Sequence, residues 1–308
     1  MLKRTHIALL FGVALAISLI ISACGSSGTT TGGGGSTPST LGTPGSYNCV
    51  SGSLTASGST ALAPLVKAVA QQYESKCSGA MITVNLGGSK TGLANVEAGS
   101  VDIGDSDIPA SSSQSDLVDH QVAVVIFGMI VNKDVTLTNI TTAQLKQIYS
   151  GQVKNWSQVG GPNVPIVVIS RPASSGTRAT FQKYILGGPE TASGPSNLTT
   201  DSTGTVVTEV GQTPGAIGYA ATGPVQSNSS VTLLSLDGVS PTATNTQSNM
   251  YKFWNIEHMY TKGTPKPLAQ ALIDYMTNSD AKSILSQQQF VAITDMSSSA
   301  ISAHNSVS

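Results

Sequence analysis

The chain has 308 residues and a formal net charge of −1, and only 10% of its residues are Asp, Glu, Lys or Arg. So weak and balanced a charge argues against a nucleic-acid partner, which calls for a basic patch or stripe. With 39% hydrophobic residues the chain can bury a large core, and its abundant Ser, Thr, Gly and Asn mean that a small ligand would be held mainly by neutral donors.

Lys3 and Arg4 precede an apolar run over residues 7–21, which leads into Ser22-Ala23-Cys24. A run this short before small residues reads as a secretory leader, residues 1–23, rather than a membrane span. Ile21-Ser22-Ala23-Cys24 resembles the bacterial lipobox, in which the cysteine becomes the lipidated first residue of the mature protein; an ordinary cleaved leader with an incidental cysteine is the alternative. Residues 24–47 are almost all Gly, Ser, Thr and Pro, a composition that behaves as a flexible tether. An acylated Cys24 on such a tether would hold a domain at the extracytoplasmic face of the cell membrane while leaving it free to reorient. Without the leader, which contains Lys3 and Arg4 and no acid, 13 basic and 16 acidic residues remain. Cys49 and Cys77 are then the remaining cysteines of an exported chain. A disulfide between them is the default, with two unpaired buried thiols as the alternative.

From residue 51 the chain alternates strands and helices. A short strand at 53–57 enters Gly58-Ser59-Thr60, and Leu62, Leu65, Val66, Val69 and Tyr73 follow at helical spacing. Residues 81–86 alternate as a strand, and Gly87-Gly88-Ser89 opens a shorter helix that ends at Gly99. Residues 101–104 form a third strand running into Asp105-Ser106-Asp107, and 122–132 is a long apolar strand with no obvious partner nearby. A helix at 141–149 precedes the strand that begins at Ile166, which ends at Arg171 and Ser174-Ser175-Gly176-Thr177. Phe181, Tyr184 and Ile185 then continue as a helix closed by Gly187. Residues 216–219 read as a buried strand, 221–250 as polar loop, and 268–276 and 281–288 as helices before an apolar segment at 290–293. Repeated strand–loop–helix units predict open α/β sheets, which bind ligands at the carboxyl ends of their strands.

Four of these strands end in small polar loops: 58–60, 87–89, 104–107 and 174–177. Any one of them is satisfied as a helix N-cap. Four in one chain, with glycines that allow close backbone approach, point to a shared anion cradle beside the Arg171 guanidinium. Trp156, Trp254 and Tyr219 read as packing residues. His120, His258 and His304 are scattered without ligand spacing, so neither a metal nor a cofactor is expected. Gly104-Asp105-Ser106 matches the start of a serine-esterase motif, but the Asp-x-x-His element that would supply the base is missing. An enzyme is therefore not expected.

In this order and spacing, several motifs resemble the substrate-binding lipoproteins of bacterial phosphate ABC transporters. They are Gly-Ser-Thr at 58–60 with Pro64, Gly-Ser at 88–89, Val-Asp-Ile-Gly-Asp-Ser-Asp at 101–107 and Ile-Tyr-Ser-Gly at 148–151 with Asn155-Trp156. The segment 171–181 and Pro-Gly-Ala-Ile-Gly-Tyr at 214–219 complete the set. The resemblance implies a two-lobe α/β fold of the periplasmic-binding-protein type II kind, with two crossover strands and a ligand cleft between the lobes. Lobe 1 would comprise 48–130 and 250–308, and lobe 2 would comprise 131–249. It further implies that Thr60, the backbone of Ala61, Ser89 and Asp107 hold phosphate from the first lobe, with Ser59 as an additional candidate. Arg171, Ser175, Gly176 and Thr177 would hold it from the second; Arg178 either touches the anion or points into solvent. Residue 61 is Ala where an aromatic occurs in some relatives, so only its backbone can act there. The implied function is extracytoplasmic capture of inorganic phosphate by a monomer and its delivery to a permease and ATPase. Another oxyanion, such as sulfate or molybdate, and a surface phosphate sensor are the alternatives. Asp107 weighs against sulfate and molybdate, because a carboxylate beside an anion is repulsive unless the ligand brings a proton.

Overall fold

Strand β1 (Gly52–Gly58) runs parallel between β2 (Ala80–Leu86) and β3 (Ile103–Ser106). The computed structural model describes residues 48–192, 197–200 and 202–305; the expected leader, the tether and Cys24 lie outside them. Helix α1 (Ala63–Lys76) links β1 to β2, with Pro64 in its first turn, where a missing N–H costs nothing. It buries Leu65, Val66, Val69 and Tyr73, as the helical spacing predicts, together with Ala70. A disulfide joins Cys49 to Cys77, with the Cα atoms 5.1 Å apart, and staples the chain ahead of β1 to the end of α1. Helix α2 (Ser89–Glu97) returns the chain to β3.

Strand β4 (Leu117–Asn132) is the long apolar run, and its partners come from far along the chain. Next come β5 (Asn139–Ile140), α3 (Thr142–Tyr149), β6 (Val167–Ser170), α4 (Gly176–Phe181), β7 (Asn197–Thr199), α5 (Thr203–Gln212) and β8 (Ala216–Ala221). The stretch expected to be polar loop holds β9 (Val231–Leu233), β10 (Ser235–Leu236) and α6 (Ala243–Gln247). The chain closes with β11 (Trp254–Lys262), α7 (Pro267–Thr277), α8 (Lys282–Gln287), β12 (Phe290–Val291) and α9 (Ser298–Asn305). The helix expected to continue from 177 to 187 is α4 followed by a π turn over Gln182–Leu186, which Gly187 ends in the left-handed region.

The strands follow the order β2-β1-β3-β11-β4-β8-β6-β7, with β12 and β9 also pairing with β4. Up to Ile126, β4 lies antiparallel to β11; from Phe127 onward it lies antiparallel to β8. At the changeover the Phe127 N–H donates to the carbonyl of Phe253 (3.0 Å), where the returning chain crosses beside the outgoing one. Two α/β groups therefore share β4. One is built on β2-β1-β3-β11 and the other on β8-β6-β7, so the chain is a two-lobe protein with two crossings. Aromatic rings fill the crossing, with Phe253 5.3 Å from Phe127 and 5.5 Å from Phe181 between ring centroids. Phe181 in turn stacks on Tyr219 at 4.5 Å. Trp156 and Trp254 are fully buried, and each indole N–H is satisfied, by the Gly215 carbonyl (2.9 Å) and the Asn249 side chain (3.1 Å).

Candidate functional site

The polar loops that follow β1, β3 and β6, together with the start of α2, converge where the two lobes meet. After β1, the Ser59 hydroxyl accepts from the N–H groups of Ala61 (3.1 Å) and Leu62 (2.9 Å) and donates to Asp107 Oδ1. Ser59 thus caps the turn into α1 and fixes the acid, and the Ala61 N–H is engaged within its own loop. Next to it, Thr60 Oγ1 accepts from Arg171 Nη2 (3.0 Å), reaching from the far lobe. Asp107 is 1% exposed, and its Oδ2 accepts from Thr177 Oγ1 (2.9 Å). The Asp107 N–H donates to Ser89 Oγ (3.0 Å), and the Asp107 carbonyl accepts from Asn255 Nδ2 (2.6 Å).

The opposite wall comes from β6 and the helices α4 and α5. Arg171 directly follows β6 and is 1% exposed, which places a full positive charge in the interior. Ser175 is the N-cap of α4 and accepts from the Arg178 N–H (3.2 Å). Gly176 lies so close to the first lobe that a Cβ there would run into Ser89 Oγ and stand 2.9 Å from Asp107 Cβ. Gly88 meets the second lobe in the same way: its φ is +84°, and a Cβ would lie 2.9 Å from the Ser174 carbonyl oxygen. Only a side chain reduced to hydrogen lets these backbones approach. Arg178 turns away from the junction. Its Nη1 donates to the Arg171 carbonyl (2.7 Å) and its Nε pairs with Glu190 (3.5 Å), which also accepts from Tyr219 Oη (2.6 Å) and Ser170. It braces the Arg171 segment.

Three residues of this neighbourhood escaped the sequence reading. Thr203 opens α5 after the Ser202 cap; its hydroxyl lies 3.1 Å from Thr60 Oγ1 and 3.5 Å from Arg171 Nη1, and its N–H donates to Thr60 (3.1 Å). Ser202-Thr203-Gly204 ahead of Val206, Val207 and Val210 is the signal that marks it, since a small polar cap before an apolar helical stripe also marks the other loops. Asn255 and Glu257 lie in β11, a strand buried along all but its last residue, whose sequence gives no hint of what its polar side chains face. Burial, and secondarily the Asp107 carboxylate, hold the Asp105 carboxyl well above the usual carboxylate range. Among the described residues no group of His, Cys, Asp and Glu is placed to hold a metal ion.

Buried hydroxyls, one buried guanidinium and one buried carboxylate form a site suited to a small, fully desolvated oxyanion that still has a proton to donate. Two α/β lobes closing on such a site define the class: a two-lobe solute-binding protein. A family model for the PBP superfamily domain matches residues 43–280. The phosphate-binding protein PstS of Bacillus subtilis is 41% identical over 300 residues, 96% of each chain. Among solved structures, one from Clostridium perfringens is described as a phosphate ABC transporter substrate-binding protein with bound phosphate. It is 27% identical, with a TM-score of 0.74, and the match covers 79% of this chain and 100% of that one. An ABC-type phosphate transport receptor from Vibrio cholerae is 26% identical, with a TM-score of 0.63, over 77% of this chain and 99% of its own. The chain belongs to the PBP superfamily and, within it, to the family of the phosphate-binding protein PstS.

Proposed function

We propose that this protein captures inorganic phosphate outside the cytoplasm and delivers it to the permease of an ABC transporter. The observation that carries the reading is Asp107, a buried carboxylate held by Ser59 and Thr177 at the lobe junction, where Arg171 of the other lobe reaches across to Thr60. Arg171 and the hydroxyls supply charge and donors to an anion, whereas Asp107 repels any anion that lacks a proton. Phosphate near neutral pH keeps one and sulfate does not, so the acid selects between anions of nearly equal size. The printed descriptions of the Bacillus subtilis relative and the Clostridium perfringens structure, both of them phosphate binders, support the same ligand.

In this reading Thr60, Ser89, Asp107, Arg171, Ser175, Gly176 and Thr177 surround the ligand, and Thr203 joins them. Ser59 acts through Asp107, and Arg178 through Arg171. The lobes are residues 48–130 with 250–308, and residues 131–249; the exchange of partners along β4 after Ile126 falls close to that boundary. The leader and Cys24 give a lipid-anchored monomer at the outer face of the cell membrane, and the protein makes and breaks no covalent bond. Calorimetric titration of the full-length protein, stripped of bound anion, tests this with phosphate and then sulfate. Tight phosphate binding without sulfate heat is expected, and Asp107→Asn should narrow the gap between the two by at least about tenfold. A protein silent toward phosphate returns the cradle to another oxyanion.

A further inference from the structure

Asp105 and Asp107 stand on one face of the sheet at the end of β3, because alternate residues along a strand share a face. Across the antiparallel ladder Met259 lies opposite Asp105 and His258 opposite Ser106. Glu257, two residues back along β11 from Met259, shares that face and stands within side-chain hydrogen-bond reach of Asp107, so three carboxyl groups meet beneath the cleft. Asp107 is supplied with donors, Ser59 on one oxygen and Thr177 on the other. Glu257 and Asp105 are 0% exposed, and none of their four carboxyl oxygens receives a hydrogen bond from a described residue.

Among the described residues, the charged groups that act on Glu257 are both acids. Asp107 and Asp105 approach from β3, and on the other side Glu257 pairs in register with Ala123 of β4. An ionised Glu257 would be an uncompensated buried charge, which a protein avoids by keeping the group neutral. Burial first, then the neighbouring Asp107 and Asp105, push its carboxyl well above the ordinary carboxylate range. A neutral carboxylic acid has one O–H to place, and the acceptor beside it is Asp107.

We propose that Glu257 is a positioning residue of the anion site: its carboxyl O–H donates to the Asp107 carboxylate from inside the sheet and fixes that carboxylate as the acceptor for the ligand's own P–OH. The inference rests on the phosphate reading above. An ionised carboxylate offers about four acceptor directions. Ser59, Thr177 and Glu257 take three of them, and the fourth is left for the cleft.

The test compares Glu257→Gln, which keeps a donor at that position, with Glu257→Met, which keeps the bulk and loses the donor. Phosphate affinity is read by calorimetry on the full-length proteins, with a thermal melt of each to confirm folding. Glu257→Gln should stay within about threefold of wild type, and Glu257→Met should weaken binding by about tenfold to a hundredfold. A second readout does not depend on how the methionine variant folds. The infrared spectrum of the wild type at neutral pH should contain one more protonated-carboxyl stretch than that of Glu257→Gln. Equal weakening in both variants, wild-type affinity in Glu257→Met, or no infrared difference overturns the inference while leaving phosphate as the ligand. A wild type that gives no heat with phosphate overturns the ligand assignment and this inference with it.

Discussion

The two walls of the cleft are built from the same pieces, a parallel strand, a small polar loop and a helix start, yet they present opposite chemistry. The wall after β1 and β3 offers an acceptor, Asp107, held by Ser59 and with Glu257 beside it. The wall after β6 offers a cation, Arg171, flanked by the starts of α4 and α5. The second wall alone would bind many oxyanions, since a guanidinium and hydroxyls do not distinguish phosphate from sulfate. The first wall alone would repel them all. In the proposed reading, capture with selectivity belongs to neither lobe and arises only where the walls meet.

The comparison breaks most severely at Arg171. Removing it leaves an anion buried without its counter-charge, so Arg171→Ala should weaken phosphate binding by roughly thirtyfold to several thousandfold in calorimetry, with sulfate still excluded by Asp107. Thr203→Val sharpens the comparison with a much smaller effect. It deletes one hydroxyl of the cationic wall and keeps the shape, so phosphate affinity should fall roughly fivefold while the phosphate-to-sulfate ratio holds.

The last prediction concerns stability. Asp105 and Glu257 are acids whose carboxyls the fold pushes up, so each holds a proton in the native state that the unfolded chain has released. Their stabilising contribution is full below the ordinary carboxyl range and is lost as pH rises through the native value. In that window each should lower stability by about 1.4 kcal/mol per pH unit. Asp105→Asn cannot ionise, so its melting temperature should decline less than that of wild type as pH rises from mildly acidic to alkaline. Parallel declines in the two proteins would show that Asp105 ionises in the fold without penalty.

Much of this was legible in the sequence because it is local. Periodicity marks α1 through Leu65, Val66, Val69 and Tyr73, and glycine and hydroxyl residues mark the loops at 58–60, 87–89 and 174–177, since caps and turns are set by neighbours a few residues apart. Segment 122–132 was recognisable as a strand, but not as the element common to both lobes. Its pairings range from Val131 with Ile217, 86 residues apart, to Val124 with Val291, 167 residues apart, and pairing at such distances leaves no periodic trace. Helix α5 was missed, and Thr203 with it.

What the amino-acid sequence determined by itself is the chemistry on offer: a charge-poor chain, one arginine before a Ser-Ser-Gly-Thr turn, two acids after a glycine-containing strand, and two cysteines in an exported chain. What only the tertiary structure decided is how those groups spend their hydrogen bonds. It engages Ser59 and the Ala61 N–H in holding Asp107 and its own loop, turns Arg178 onto Glu190, and sets Glu257 against Asp107 with no donor to it among the described residues. The reason is physical. A side chain's type fixes what it can donate or accept, but its partner and its burial depend on which distant strand folds beside it, and in a dry interior those two facts decide its charge.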